Sequence, residues 1–145
     1  MKKILAMVLA LVMIFALAAC GQKAEEKPFA GLICLHDENS GYDANFINAF
    51  NDACKALGVK GVIKTNVPED QAAHDAAAEL ADAGCQVIFT DSYGHQQYVL
   101  EAAQEFPEVQ FTSCTGDMAN TAGVENYHNA FATIFEGRYL AGVAR

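Results

Sequence analysis

The side chains best equipped for chemistry lie in three short stretches. His36-Asp37-Glu38-Asn39-Ser40-Gly41-Tyr42-Asp43 is the first, Thr90-Asp91-Ser92-Tyr93-Gly94-His95 the second and Cys114-Thr115-Gly116-Asp117 the third. Carboxylates accept hydrogen bonds from hydroxyl and amino groups, hydroxyls both donate and accept, and aromatic rings stack on planar solutes. Such a set suits the reversible capture of a small polar molecule. Bond-breaking chemistry lacks its marks, since there is no G-x-S-x-G, no H-E-x-x-H, no phosphate-binding G-x-x-x-x-G-K and no dinucleotide G-x-G-x-x-G. Asp37, Glu38 and Asp91 imitate the acidic cluster of a phosphoacceptor domain, but no lysine follows the fifth strand pattern. An enzyme is not expected. The alternative is a metal-binding surface protein in which His36, His95 and His128 approach one edge with Asp37 or Asp91. None of these histidines has the close partner spacing of a metal motif, so neither a metal nor any other cofactor is expected.

A different chemistry stands near the start. Lys2 and Lys3 precede an apolar run from Ile4 to Ala19, which ends in Leu17-Ala18-Ala19-Cys20. As a helix the run would span about 24 Å, short of the roughly 30 Å hydrocarbon core. It reads instead as an export signal. Small residues before a cysteine make the segment resemble a bacterial lipoprotein signal, with Cys20 alkylated by diacylglycerol. Two acyl chains suffice for stable anchoring. Residues 1–19 are then the signal, 20–28 a solvated tether and 29–145 the folded lobe, held at the extracytoplasmic face of the cell membrane.

Net charge narrows the partners. The 145 residues carry 9 Lys plus Arg against 18 Asp plus Glu, a formal charge of −9. Loss of residues 1–19 removes Lys2 and Lys3 but no acid, leaving 126 residues at −11. Such a surface repels phosphate backbones, which excludes nucleic acid as a partner. At that length one α/β core is affordable.

What must position the three polar stretches is an alternation of strands and helices. Apolar runs cover Phe29 to Leu35, Val59 to Ile63, Gln86 to Phe89 and Val109 to Ser113. Between them, helical spacing groups Phe46, Phe50, Ala53, Cys54 and Leu57, then Ala73, Ala76, Ala77, Leu80 and Ala81, then Tyr98, Val99, Ala102 and Phe106. Right-handed crossovers turn this alternation into a doubly wound parallel sheet of order 2-1-3-4, with the polar stretches gathered outside the strands' carboxyl ends. A short fifth strand is expected around Tyr127 to Phe131. Thr133-Ile134-Phe135-Glu136 has capping-box spacing and opens a helix through Tyr139, Leu140 and Val143. That helix meets no stop signal before Arg145, so the chain reads as cut short. The strand order keeps Cys34, Cys54, Cys85 and Cys114 from pairing, and all four are expected to be free thiols.

The run HDENSGYDANFIN from His36 to Asn48, with Gly84 to Phe89, Phe106 to Phe111 and Glu136 to Val143, resembles the basic membrane protein family of lipoproteins. The resemblance implies the amino-terminal lobe of a two-lobed solute-binding protein that presents its ligand to an ABC permease, with purine nucleosides as common ligands. It implies that Asp37 accepts hydrogen bonds from a polar ligand edge, that Phe46 stacks on the ring and that Asp43 is the acid of the family's D-x-S-F-N motif. The motif's serine is Asn45 here and its final asparagine is Ile47. Where the family often has an acid after the fourth strand, this chain has Thr115. Asp91, Ser92 and Tyr93 after the third strand complete the expected ligand set. From the residues alone, Phe46 fits core packing as well as stacking, and Asp43 fits a helix cap as well as a ligand contact.

Overall fold

The computed structural model describes residues 29–144. Cys20, the export signal and the whole tether lie outside the described residues. Strand β1 (Ala30–Ile33) is followed by α1 (Gly41–Leu57), β2 (Gly61–Lys64), α2 (Gln71–Asp82), β3 (Val87–Thr90) and a 3₁₀ turn at Tyr93–His95. Then come α3 (Gln96–Glu105), β4 (Gln110–Ser113), the single-turn α4 (Ala119–Ala122), β5 (Tyr127–Asn129) and α5 (Ile134–Val143). The strands form one sheet in the order β2-β1-β3-β4-β5, and every pairing is parallel. The expected doubly wound α/β arrangement is therefore present. Each strand starts one or two residues later than its apolar run, because the first residues of the run complete the preceding turn.

Side chains alternate across the sheet as a strand demands. Ile33, Ile88, Phe111 and Tyr127 point to the face covered by α2 and α3, which supply Ala73, Ala76, Ala77, Leu80, Val99, Ala102 and Ala103. The small alanines at helical spacing let α2 and α3 lie close to the strands and to each other. Asn126 Nδ2 faces three carbonyls there, those of Ala103 at 2.8 Å, Phe106 at 3.0 Å and Val109 at 2.8 Å, and fastens the end of α3 to β4.

Among the described residues the other face is covered by one helix, α1. Ala30 and Leu32 of β1, and Cys34 just after it, meet Phe50 of α1, with Phe46, Ile47, Cys54, Ile63, Val87 and Phe89 around them. Gly61 permits this contact, since a Cβ there would fall 2.5 Å from the Phe50 ring and 2.7 Å from Cys54 Sγ. Helix α1 closes on Gly58 in the left-handed conformation, at φ 67°. Leu57, expected on the packed face, is 73% exposed because α1 has by then run past the sheet.

At the far end, Thr133 precedes α5 but makes no side-chain cap hydrogen bond, so the capping-box spacing is not realised. Residues 130–144 are exposed throughout. Cys34, Cys54, Cys85 and Cys114 are free thiols, as the strand order implies.

Candidate functional site

Helix α1 runs antiparallel to the strands, so its first turn sits over their carboxyl ends. Ser40 caps it, accepting from the Asp43 amide, and brings Tyr42 to the open side. The Tyr42 hydroxyl donates to the Asp91 carbonyl at 2.9 Å and lies 2.6 Å from Thr115 Oγ1. One side chain thus ties α1 to the ends of β3 and β4. One helical turn on, Phe46 meets Tyr42 with ring centroids 5.0 Å apart and planes tilted by 52°. Beside this pair a cleft of about 220 Å³ is lined by Leu32, Phe46, Ala49, Phe50, Ala53, Phe89 and Cys114. Its wall is apolar and aromatic.

The expected ligand residues separate into two groups. Phe46 is half-buried on the cleft wall, while Phe50 takes the core position. Asp37 is half-buried in the loop after β1, where its Oδ1 accepts from the Asn39 amide and from Asn39 Nδ2, both at 3.0 Å. Those bonds, the amide's first, hold its carboxyl below the ordinary value. Asn45 is exposed and donates to the Gly41 carbonyl at 2.6 Å. Tyr93 is 49% exposed and its hydroxyl reaches both Asp117 carboxylate oxygens, at 3.1 and 3.2 Å. Thr115 is half-buried beside Tyr42.

Asp43, Asp91 and Ser92 turn inward instead. Asp43 Oδ1 accepts from the His36 amide at 2.9 Å and Oδ2 from the Ser40 hydroxyl. Ser40, not Asp43, is the helix cap. Burial works to raise the Asp43 carboxyl, yet the bonds from Ser40 and the His36 amide outweigh it and hold the group at about 2. Asp91, with no exposure, accepts the Leu35 amide at 3.1 Å on Oδ1. Burial, then the contact with Asp43, pushes it up to about 6. The Ser92 hydroxyl is taken by Glu69, which also accepts the Gly94 amide at 3.1 Å.

The three histidines do not converge. His95 lies in the 3₁₀ turn without exposure, its Nε2 bonded to the Val67 carbonyl at 2.9 Å, and burial lowers its pKa. His128 is exposed on β5 and bonds Gln110 Oε1 at 2.8 Å. His36 Nδ1 approaches Asp43 Oδ2 at 3.3 Å. A metal site on His36, His95 and His128 is therefore set aside. Among the described residues, the one cluster of potential metal ligands joins Cys34, Asp43 and Asp91.

Two residues escaped the sequence reading. Tyr42 is a wall of the site, and its spacing of four from Phe46 was the available signal. Glu69 fixes the β3 loop. Only Gly94 hinted at that, since a Cβ there would collide with the Glu69 carboxylate.

An all-parallel sheet with polar loops over an aromatic cleft at its carboxyl edge defines an α/β lobe of the solute-binding kind. Among solved structures, an ABC transporter solute-binding protein from Conexibacter woesei shares the fold at 18% identity and a TM-score of 0.61, over 70% of this chain and 34% of that one. A transcriptional activator of the comK gene from Bacillus halodurans matches at 25% identity and a TM-score of 0.60, over 70% and 33%. Residues 35–145 match the family of PnrA-like ABC transporter substrate-binding proteins. The chain belongs to that family, the basic membrane protein family. A purine-binding protein of Brucella abortus (strain 2308) is 34% identical over 140 residues, which cover 94% of this chain and 39% of that protein.

Proposed function

We propose that this chain is the amino-terminal lobe of a lipid-anchored, extracytoplasmic solute-binding protein that hands a purine nucleoside, or a similar planar polar solute, to an ABC permease. The observation that carries the reading is the Tyr42–Phe46 pair beside an apolar cleft at the carboxyl edge of the sheet. Phe46 stacks on the ring. Asp37, Asn45, Tyr93 and Thr115 supply polar contacts at the rim, while Asp43, Asp91 and Ser92 shape the loops that carry them. Family membership supports capture without catalysis, and the Brucella abortus relative's name supports a purine. Thr115 in place of an acid favours a ligand whose sugar is held by single hydrogen bonds rather than by a carboxylate across two hydroxyls.

Saturation-transfer NMR on the chain with adenosine, inosine and glucose tests the reading. Transfer to the purine ring protons and none to glucose is expected, with loss of that transfer in Phe46→Ala. Absence of transfer from either nucleoside would sink it. Small-molecule pockets usually bury about 70–90% of a ligand, and one lobe supplies one wall, so affinity below micromolar is not expected from this chain alone. Anchoring is tested separately. Membrane-fraction mass spectrometry should find Cys20 as a diacylated amino terminus, and an unmodified Cys20 in released protein would refute it.

A further inference from the structure

Beneath the first turn of α1 lies a group that the proposed solute does not touch. Cys34 follows the last residue of β1, Asp91 follows the last residue of β3, and Asp43 belongs to α1. All three are buried, and one ligand atom from each lies within 4.8 Å of the others. Three separate elements thus converge a thiol and two carboxylates on one point.

Asp43 is well compensated. It receives the His36 amide and the Ser40 hydroxyl and stands at a helix amino terminus, where the backbone dipoles favour an anion. Asp91 is not. Its Oδ1 takes the Leu35 amide, but Oδ2 has no hydrogen-bond partner although the residue has no exposure. A buried carboxylate oxygen beside a second carboxylate calls for a positive charge. Either a proton or a cation can supply it, and the thiol at the same point gives a cation a third ligand atom.

We propose that Cys34, Asp43 and Asp91 form a binding site for one divalent cation of the zinc class, held by one sulfur and two carboxylate oxygens. Zinc accepts thiolate and carboxylate in a four-coordinate shell, whereas calcium and magnesium demand six or more oxygens. Water completes the shell. The amides of Leu35 and His36 already orient the two carboxylates, one oxygen each. Binding displaces the Cys34 thiol proton to solvent, together with any proton held between the two carboxyls. The cation would bridge β1, β3 and α1 and so fix the loops that carry the rim of the cleft. The site stands independently of the solute proposed above.

The test uses the full chain, stripped of metal with a chelator and titrated with cadmium, zinc, calcium and magnesium. One cadmium or zinc per chain is expected, with a sulfur-to-cadmium charge-transfer band, a rise in melting temperature and no response to calcium or magnesium. Cys34→Ser should abolish the band, Asp91→Asn should weaken zinc binding at least tenfold, and Cys54→Ser should change neither. Cadmium NMR of the unsubstituted chain reads the ligands directly. One thiolate among oxygens supports the site, and two thiolates or none overturns it. Absence of stoichiometric uptake, or a band that survives Cys34→Ser, also overturns it, and a proton then balances the pair.

Discussion

The two faces of the sheet are built to different ends. On the α2–α3 face, Ile33, Ile88, Phe111 and Tyr127 pack against two alanine-rich helices, and the layer is closed. On the α1 face one helix covers β1 and β2, while β3 to β5 present Val87, Phe89, Gln110, Thr112 and His128 with partial or full exposure. The first face carries the stability of the lobe. The second carries the cleft, lined by Leu32, Phe46, Phe89 and Cys114 among others. A close-packed layer has no room for a ligand without a cavity cost, and the cleft lies on the other face.

The comparison breaks most visibly at Phe111. This ring is fully buried at the centre of the closed face, and Phe111→Ala should cost about 3–5 kcal/mol of folding stability, read as a large loss of denaturation midpoint. If the loss were under 1 kcal/mol, the closed face would not be the stabilising one.

Phe46→Ala should behave in the opposite way. Its ring is half-buried on the open face, so the folding cost is roughly 1 kcal/mol. Lost stacking is worth about 1–3 kcal/mol, a roughly fivefold to 150-fold weaker nucleoside affinity. A large drop in midpoint with affinity unchanged would move Phe46 into the core and leave the open face without its main ligand contact.

A smaller effect concerns acid. The Ser92 hydroxyl first, and the Gly94 amide, hold the Glu69 carboxyl below its ordinary value. A depressed folded value contributes stability above the unfolded value of about 4.3, and that stability fades as pH falls through the folded value. Glu69→Gln should therefore melt slightly lower than the parent at pH 7 and converge on it as pH falls below the folded value. Equal melting at pH 7 would show that the Glu69 clamp does not hold the β3 loop.

The smallest change is expected at Tyr139→Ser in α5. Tyr139 is 72% exposed, and substitution there should leave the midpoint within about 0.5 kcal/mol. A larger loss would mean that α5 packs against the lobe.

Much of this architecture was legible before any coordinates. The alternation of apolar runs with helical faces gives a parallel sheet, and crossover handedness then leaves few strand orders, of which the 2-1-3-4 core is the one found. Periodicity works because a regular element repeats its side-chain direction. The loops have no such repeat. Asp37, Asp43 and Asp91 look alike in sequence, as acids in the polar stretches after strands, yet Asp37 stays partly exposed while the other two are buried. The Ser40 cap and the His36 amide turned Asp43 inward, and the Leu35 amide on the neighbouring strand end fixed Asp91. His95 reads as a loop residue until a 3₁₀ turn swings it beneath Val67, and Thr133 reads as a cap that its backbone does not form. Apolar periodicity is enough to set out the strands and helices and, through them, the sheet. Which acidic loop side chains are buried rests on the folded loops, because donors such as the Leu35 amide reach Asp91 from another strand end and no spacing along the chain records them.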